Sequence, residues 1–284
     1  MRRLSLFFSV ILVLWIFFGD GLGKIMSRYD VQLPPLEKIS EKIKVAERQI
    51  LAPPPLVGKE DFDDAFLSNQ GVLDWTNTAR EKNKLPKLKE NEKLNTAALN
   101  KANDILINQY FEHISPAGIG PADLAQDASY QYIVIGENLA LGNFKDDEEL
   151  VMAWMQSPGH RANILNIKYA EIGIAVVKGV FNGKQTWVAV QEFGLPLSFC
   201  PEPDVALKTS LDGKIQQANK LEQELITIKA QIDKPSTKFS NKYKNLVDDY
   251  NSTVGAYNKL LSEIKTSTDR YNLEVDKFNQ CIKA

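Results

Sequence analysis

Residues 171–193 read EIGIAVVKGVFNGKQTWVAVQEF. Two runs rich in Val, Ile and Trp, Glu171 to Val180 and Lys184 to Phe193, flank an Asn182-Gly183 pair. Branched and aromatic side chains suit a pleated, half-buried surface, and Asn-Gly accepts the left-handed backbone of a two-residue hairpin turn. The stretch therefore predicts an antiparallel hairpin. Upstream, Tyr132 to Leu141 has the same character and predicts a third strand. Ala65 to Lys82 and Asn91 to Tyr110 carry apolar residues at helical spacing, for instance Leu94, Ala97, Ala98, Ala102, Ile105 and Leu106. Pro121 to Ser129 and Asp146 to Met155 predict shorter helices. The second opens on Asp146, Asp147, Glu148 and Glu149, where negative charge suits the helix dipole. Helices on a small antiparallel sheet make an α+β domain over residues 60–199.

Working outward, Arg2 and Arg3 precede fifteen uncharged residues, Leu4 to Phe18. A basic start and a short apolar run are the layout of an export signal, and fifteen falls short of the roughly 20 residues that span a bilayer as a helix. Gly21 and Gly23 offer a weak cleavage site, while the Phe, Leu and Ile content suits a retained anchor. Residues 1–23 are thus expected to be a signal peptide or an N-terminal membrane anchor, with the remainder extracytoplasmic. Residues 24–59 carry charges and prolines, including Pro34-Pro35 and Pro53-Pro54-Pro55, and predict a semi-rigid stalk.

Downstream, residues 200–284 predict a coiled-coil helical hairpin. Leu207, Leu211, Ala218, Leu221, Leu225, Ile228 and Ile232 step by three and four, with Lys214 in one slot. After Pro235 a seven-residue step runs through Tyr243, Tyr250, Tyr257, Ile264, Tyr271 and Phe278. Cys200 precedes the first helix and Cys281 ends the second, so a hairpin brings them toward a disulfide. The second helix outruns the first by roughly 20 Å at 1.5 Å per residue. Pairing between two parallel coils is the competing arrangement.

The 284 residues hold 34 Lys plus Arg against 36 Asp plus Glu, with 44% apolar residues. This balance speaks against a disordered chain and against a general nucleic-acid binder, which shows a basic excess. Two cysteines are too few for a four-cysteine metal site. Imidazole chemistry rests on two residues, His113 and His160. His160 follows Ser157-Pro158, an N-cap and first-turn proline pattern, where the dipole disfavours a charged ring. Between the histidines stands Gly136-Glu137-Asn138 at the end of an apolar strand. Two imidazoles and a carboxylate are the ligand set of an open zinc site and equally a general-base constellation. The same side chains also serve as ordinary hydrogen-bonding partners of nearby backbone.

His113-Ile114-Ser115-Pro116, Gly136-Glu137-Asn138-Leu139, Trp154 ahead of Ser157-Pro158-Gly159-His160-Arg161, Asn163-Ile164-Leu165 and Glu171-Ile172-Gly173-Ile174-Ala175 together resemble the bacterial branch of the CAP superfamily, whose module is also called the SCP domain. The superfamily is named after cysteine-rich secretory proteins, antigen 5 and pathogenesis-related proteins. The resemblance implies an α-β-α sandwich, an extracytoplasmic role and a cleft lined by two His and two acids that can bind Zn2+ or another divalent cation. His113 and His160 match the histidines and Glu137 one acid, with Asn138, Ser157 and Arg161 along the cleft. The second acid has no match, because Trp154 is followed by Met155, Gln156 and Ser157. Two functions follow as expectations. One is a non-enzymatic binding module for a metal, a peptide, a lipid or a cell-wall component. The other is a metal-assisted or general-base hydrolase in which Glu137 is the catalytic base.

Overall fold

The structure is a computed structural model that describes residues 49–59, 61–234 and 241–283. The export or anchor segment over 1–23, and the stalk up to residue 48, lie outside the described residues. Among the described residues no helix is long and apolar enough to cross a membrane.

Strands β1 (Gln49–Leu51), β2 (Leu56–Val57), β3 (Lys89–Glu90), β4 (Tyr132–Gly142), β5 (Glu171–Phe181) and β6 (Lys184–Pro196) form one sheet. Its order is β1-β4-β6-β5-β3, with β2 also on β4. The three long strands are antiparallel neighbours, as expected. Asn182 and Gly183 both have positive φ, at 50° and 79°, and turn the chain tightly between Phe181 and Lys184. The three short strands, each paired in parallel, were not expected. They lack any alternating apolar pattern, and β1 and β2 flank a proline triplet.

Helices α1 (Asn69–Lys82), α4 (Asp147–Gln156) and α5 (Pro158–Ile164) cover one face. Helices α2 (Glu92–Asn108) and α3 (Pro121–Asp127) cover the other. Strand side chains alternate between the layers. Leu139, Leu141, Ala175, Val188 and Val190 meet Ala98, Ala102 and Ile105 of α2. Ala140, Ile172, Ile174, Ala189 and Phe193 meet Val72, Leu150, Val151 and Trp154. The α-β-α sandwich is therefore the observed fold. Gly173 marks the closest approach of helix to sheet: a Cβ there would lie 2.0 Å from the Leu94 carbonyl carbon and 2.3 Å from the Asn95 nitrogen.

Helices α6 (Val205–Ile232) and α7 (Asn241–Cys281) form the expected hairpin. Leu211, Ala218, Leu225 and Ile232 on α6 and Tyr257, Ile264 and Tyr271 on α7 are buried. Leu260 adds a further buried residue to α7. Cys200 and Cys281 are joined within the one chain, which settles the pairing left open by the sequence. The helices differ by 13 residues, 28 against 41, yet the cysteines meet. The stretch Cys200 to Asp204 runs beside the last turns of α7: five extended residues at about 3.3 Å match about eleven helical residues at about 1.5 Å. Asp204 N–H donates to Glu274 Oε2 at 3.0 Å along this stretch. Cys200, Phe278 and Ile282 enter the core on the Trp154 side of the sheet, so the base of the hairpin is packed into the domain.

Candidate functional site

Glu137 on β4 stands directly opposite Glu192 on β6, and both are fully buried. Residues opposed in an antiparallel pair share a face, so both carboxyls point toward α2. Lys101 supplies the cation. It lies on the apolar stripe of α2, is 1% exposed, and donates to the carbonyls of Glu112 and His113 at 2.8 and 2.7 Å and to Tyr110 Oη at 3.2 Å. One buried ammonium thus holds the loop that carries His113. Burial lowers its pKa, while the charges of Glu137 and Glu192 work against that. Burial raises the Glu192 pKa well above the carboxylate range, and the charge and hydrogen bond of Glu137 add to the rise. Neither Glu192 oxygen nor Glu137 Oε2 has a donor nearby, so a proton held by Glu192 is what reconciles the pair.

His113 Nδ1 lies 2.5 Å from Glu137 Oε1. Its Nε2 bonds the carbonyl of Pro53. A carbonyl only accepts, so Nε2 carries a proton and His113 presents an N–H donor aimed at a main-chain oxygen. Ser157 and Pro158 open α5 as expected, but the Ser157 hydroxyl makes no backbone cap. It bonds His160 Nδ1 at 2.8 Å instead. His160 is 2% exposed, and burial together with the nearby His113 charge lowers its pKa to about 4, against an opposing pull from the Leu139 carbonyl. The dipole argument expected a neutral ring; the cause on display is mainly burial.

Asn138, one residue past Glu137, faces the opposite layer because strand side chains alternate. Its amide donates to Gln191 Oε1 at 3.0 Å and to the His160 carbonyl at 3.3 Å. It braces the site from behind and does not line the cleft. Arg161 is corrected too. One residue after His160 on a helix, it turns about 100° away, is exposed and meets Asn83 on α1 at 3.5 Å. Asn163, one turn beyond His160, takes the place expected of Arg161. Its amide donates to the carbonyls of Leu51 and Glu137, each at 3.1 Å, and to Asn138 Oδ1 at 3.0 Å.

Part of the segment expected as a stalk, residues 49–57, is attached to the sheet. Residues 49–57 lie along the free edge of β4, with Leu51 beside Gly136 and Leu56 beside Ala140. This puts Pro53 over His113. The same contacts occupy most of the ligand set expected for a metal. Both nitrogens of His113 are engaged, His160 Nδ1 is held by Ser157, and Glu137 turns one oxygen to His113. Among the described residues no three His, Cys, Asp or Glu side chains converge as a metal cradle. Two buried atoms of the expected set, His160 Nε2 and Glu137 Oε2, have no hydrogen-bond partner.

A three-layer α-β-α domain with two histidines and two facing carboxyls at one sheet edge defines the class. Residues 73–193 match the sequence model named CAP, the cysteine-rich secretory protein family. It is similar to the uncharacterized protein YkwD of Bacillus subtilis, 34% identical over 149 residues, which is 51% of this chain and 58% of that one. It is also similar to the uncharacterized membrane protein YlbC of the same organism, 32% identical over 134 residues, 47% of this chain and 38% of that one. The matches span less than two thirds of either relative. Solved structures with similarity include an extracellular protein containing a SCP domain from Bacillus anthracis, at 29% identity, TM-score 0.38, and coverage of 44% of this chain and 39% of that one. Another is an outer surface protein of Borrelia burgdorferi, at 22% identity and TM-score 0.38, covering 45% of this chain and 91% of that one.

Sequence reasoning missed Glu192 and Lys101. Lys101 had a visible signal, a lone lysine among Leu94, Ala97, Ala98, Ala102 and Ile105 on one helix face. Glu192 needed the β4 to β6 register, which is a long-range pairing.

Proposed function

We propose that the protein is an extracytoplasmic, non-enzymatic binding module, whose cleft retains a ligand through a hydrogen-bond acceptor seated on His113. The carrying observation is the placement of His113: buried Glu137 holds one ring nitrogen, and the other faces the Pro53 carbonyl, which only accepts, so the ring donates there. Glu137 is occupied by that task and by its buried neighbour Glu192, which argues against its acting as a base toward water. The hairpin, linked to the domain by Cys200–Cys281 and by Phe278 and Ile282 in the core, serves as a rigid extension that displays or assembles the module.

The test is a titration of the full chain against peptidoglycan fragments, short peptides and lipid vesicles, with the bound material recovered and weighed by mass spectrometry. A ligand recovered unchanged, whose binding is lost in His113→Phe, supports the reading. Turnover that disappears in Glu137→Gln overturns it in favour of a general-base hydrolase.

A further inference from the structure

The segment over the site is itself bound like a ligand. Residues 49–57, QILAPPPLV, carry no charge. They run parallel to β4 through two short pairings separated by Ala52 and three prolines. Prolines cannot donate to a ladder, so the contacts at the centre come from the site's own side chains. Asn163 donates to the Leu51 carbonyl and His113 to the Pro53 carbonyl. Below Pro53 the floor is Gly159, where an added Cβ would lie 2.6 Å from Pro53 Cβ.

The same segment is weakly held by its side chains. None of residues 50–59 is buried, and Ile50, Leu51 and Val57 are 48%, 39% and 61% exposed. A cavity of about 500 Å3 lies between residues 56–59 and α4. Exposed segments with few buried apolar contacts open at low free energy. Beneath it, β4 is buried throughout and pairs on its other side with β6. Opening would uncover a strand edge, the His113 donor and the Asn163 amide together, which is how proteins capture extended chains by strand addition.

We propose that the cleft is a binding site for an uncharged, proline-containing peptide in extended conformation, added as a parallel strand along β4, and that residues 49–57 are its occupant in cis. The proposal deepens the binding-module reading and rests on it. His113 reads the carbonyl of the central proline, Asn163 reads the carbonyl two residues before it, and Gly159 leaves room for the proline ring. A partner peptide binds by exchanging with residues 49–57. Its apparent affinity is reduced by the fraction of time the cis segment is seated.

The experiment uses the full chain and a fluorescein-labelled synthetic peptide of residues 49–57. A full-chain variant with Ile50→Gly, Leu51→Gly, Pro53→Gly and Leu56→Gly weakens the cis segment. It is expected to bind the peptide at least tenfold more tightly than wild type. Adding His113→Phe or Gly159→Ala to that variant should abolish the gain. A variant that keeps the wild-type near-ultraviolet spectrum and binds no more tightly than wild type overturns the proposal. Hydrogen exchange on the wild-type chain tests it without any variant: amides of residues 49–57 must exchange well ahead of those in the β4 to β6 ladder, and equal protection overturns it. The two readings fail separately. A cell-wall fragment retained by the module, with no peptide gain in the weakened variant, removes the peptide proposal alone. Peptide turnover sensitive to Glu137→Gln removes the non-enzymatic reading and leaves the peptide site standing.

Discussion

Replacing Lys101 by methionine keeps the stem and removes the buried ammonium beneath the site. The ammonium is 1% exposed and donates to two loop carbonyls and to Tyr110. Hydrogen bonds to charged groups contribute about 1.5–3 kcal/mol each, and desolvating the ammonium offsets part of that. Deleting one partner of a buried charge set costs about 3–5 kcal/mol, because the opposite charge stays behind uncompensated. Here that charge is on Glu137, and the loop bearing Glu112 and His113 also loses its anchor. We expect a loss of about 4 kcal/mol, measured by urea denaturation followed by tryptophan fluorescence. The same reasoning ranks the couplings. Burial holds Glu192 protonated, so a double-mutant cycle of Lys101→Met with Glu137→Gln should show a larger coupling than one with Glu192→Gln. A loss under about 1 kcal/mol, or the reverse ranking, refutes this account of the buried cluster.

Three further outcomes are expected. The Cys200→Ser, Cys281→Ser variant releases a loop whose ends are 81 residues apart, costing about 4.5 kcal/mol in the chain-entropy account; circular dichroism should show the α6–α7 hairpin melting earlier, and an unchanged melt contradicts the brace. Burial holds the His160 pKa at about 4 against 6.5, so its contribution is complete above pH 6.5 and drains as pH falls toward 4, because the unfolded chain protonates first. Between pH 7 and 5 wild type should lose about 2 kcal/mol more than His160→Gln. Glu192 pulls the other way in both proteins, so the comparison isolates His160, and parallel pH profiles dismiss the assignment. Finally, Gly173→Ala drives a methyl into the backbone of α2 and should cost about 3 kcal/mol in denaturant; wild-type stability would show that the helix is not so closely applied.

What could be read along the chain was periodic or locally punctuated. The hairpin at Asn182-Gly183, the strand at 132–141, the apolar face of α2 and the heptads of α6 and α7 each follow from spacing within a short window. Residues 49–57 could not be read that way. Their prolines describe an extended chain equally well free or paired, and only β4 decides which. At the site, motif residues mark His113 and Glu137, which meet, and His160, which bonds Ser157 instead. Glu192 was hidden, since its partner lies 55 positions away and only the strand register sets the two carboxyls face to face. Asn163 turns to the site and Arg161 away from it because two residues on a helix separate by about 200°, so neighbours in sequence look in different directions.

The single disulfide has a consequence for how the molecule breaks. Every residue of both long helices lies within the covalent ring closed by Cys200 and Cys281. A protease that cuts one peptide bond anywhere in that ring opens it without releasing a fragment. Such a molecule runs as one band on a non-reducing gel and as two after reduction. In an environment rich in proteases, the severed rod stays tethered to the domain at its base.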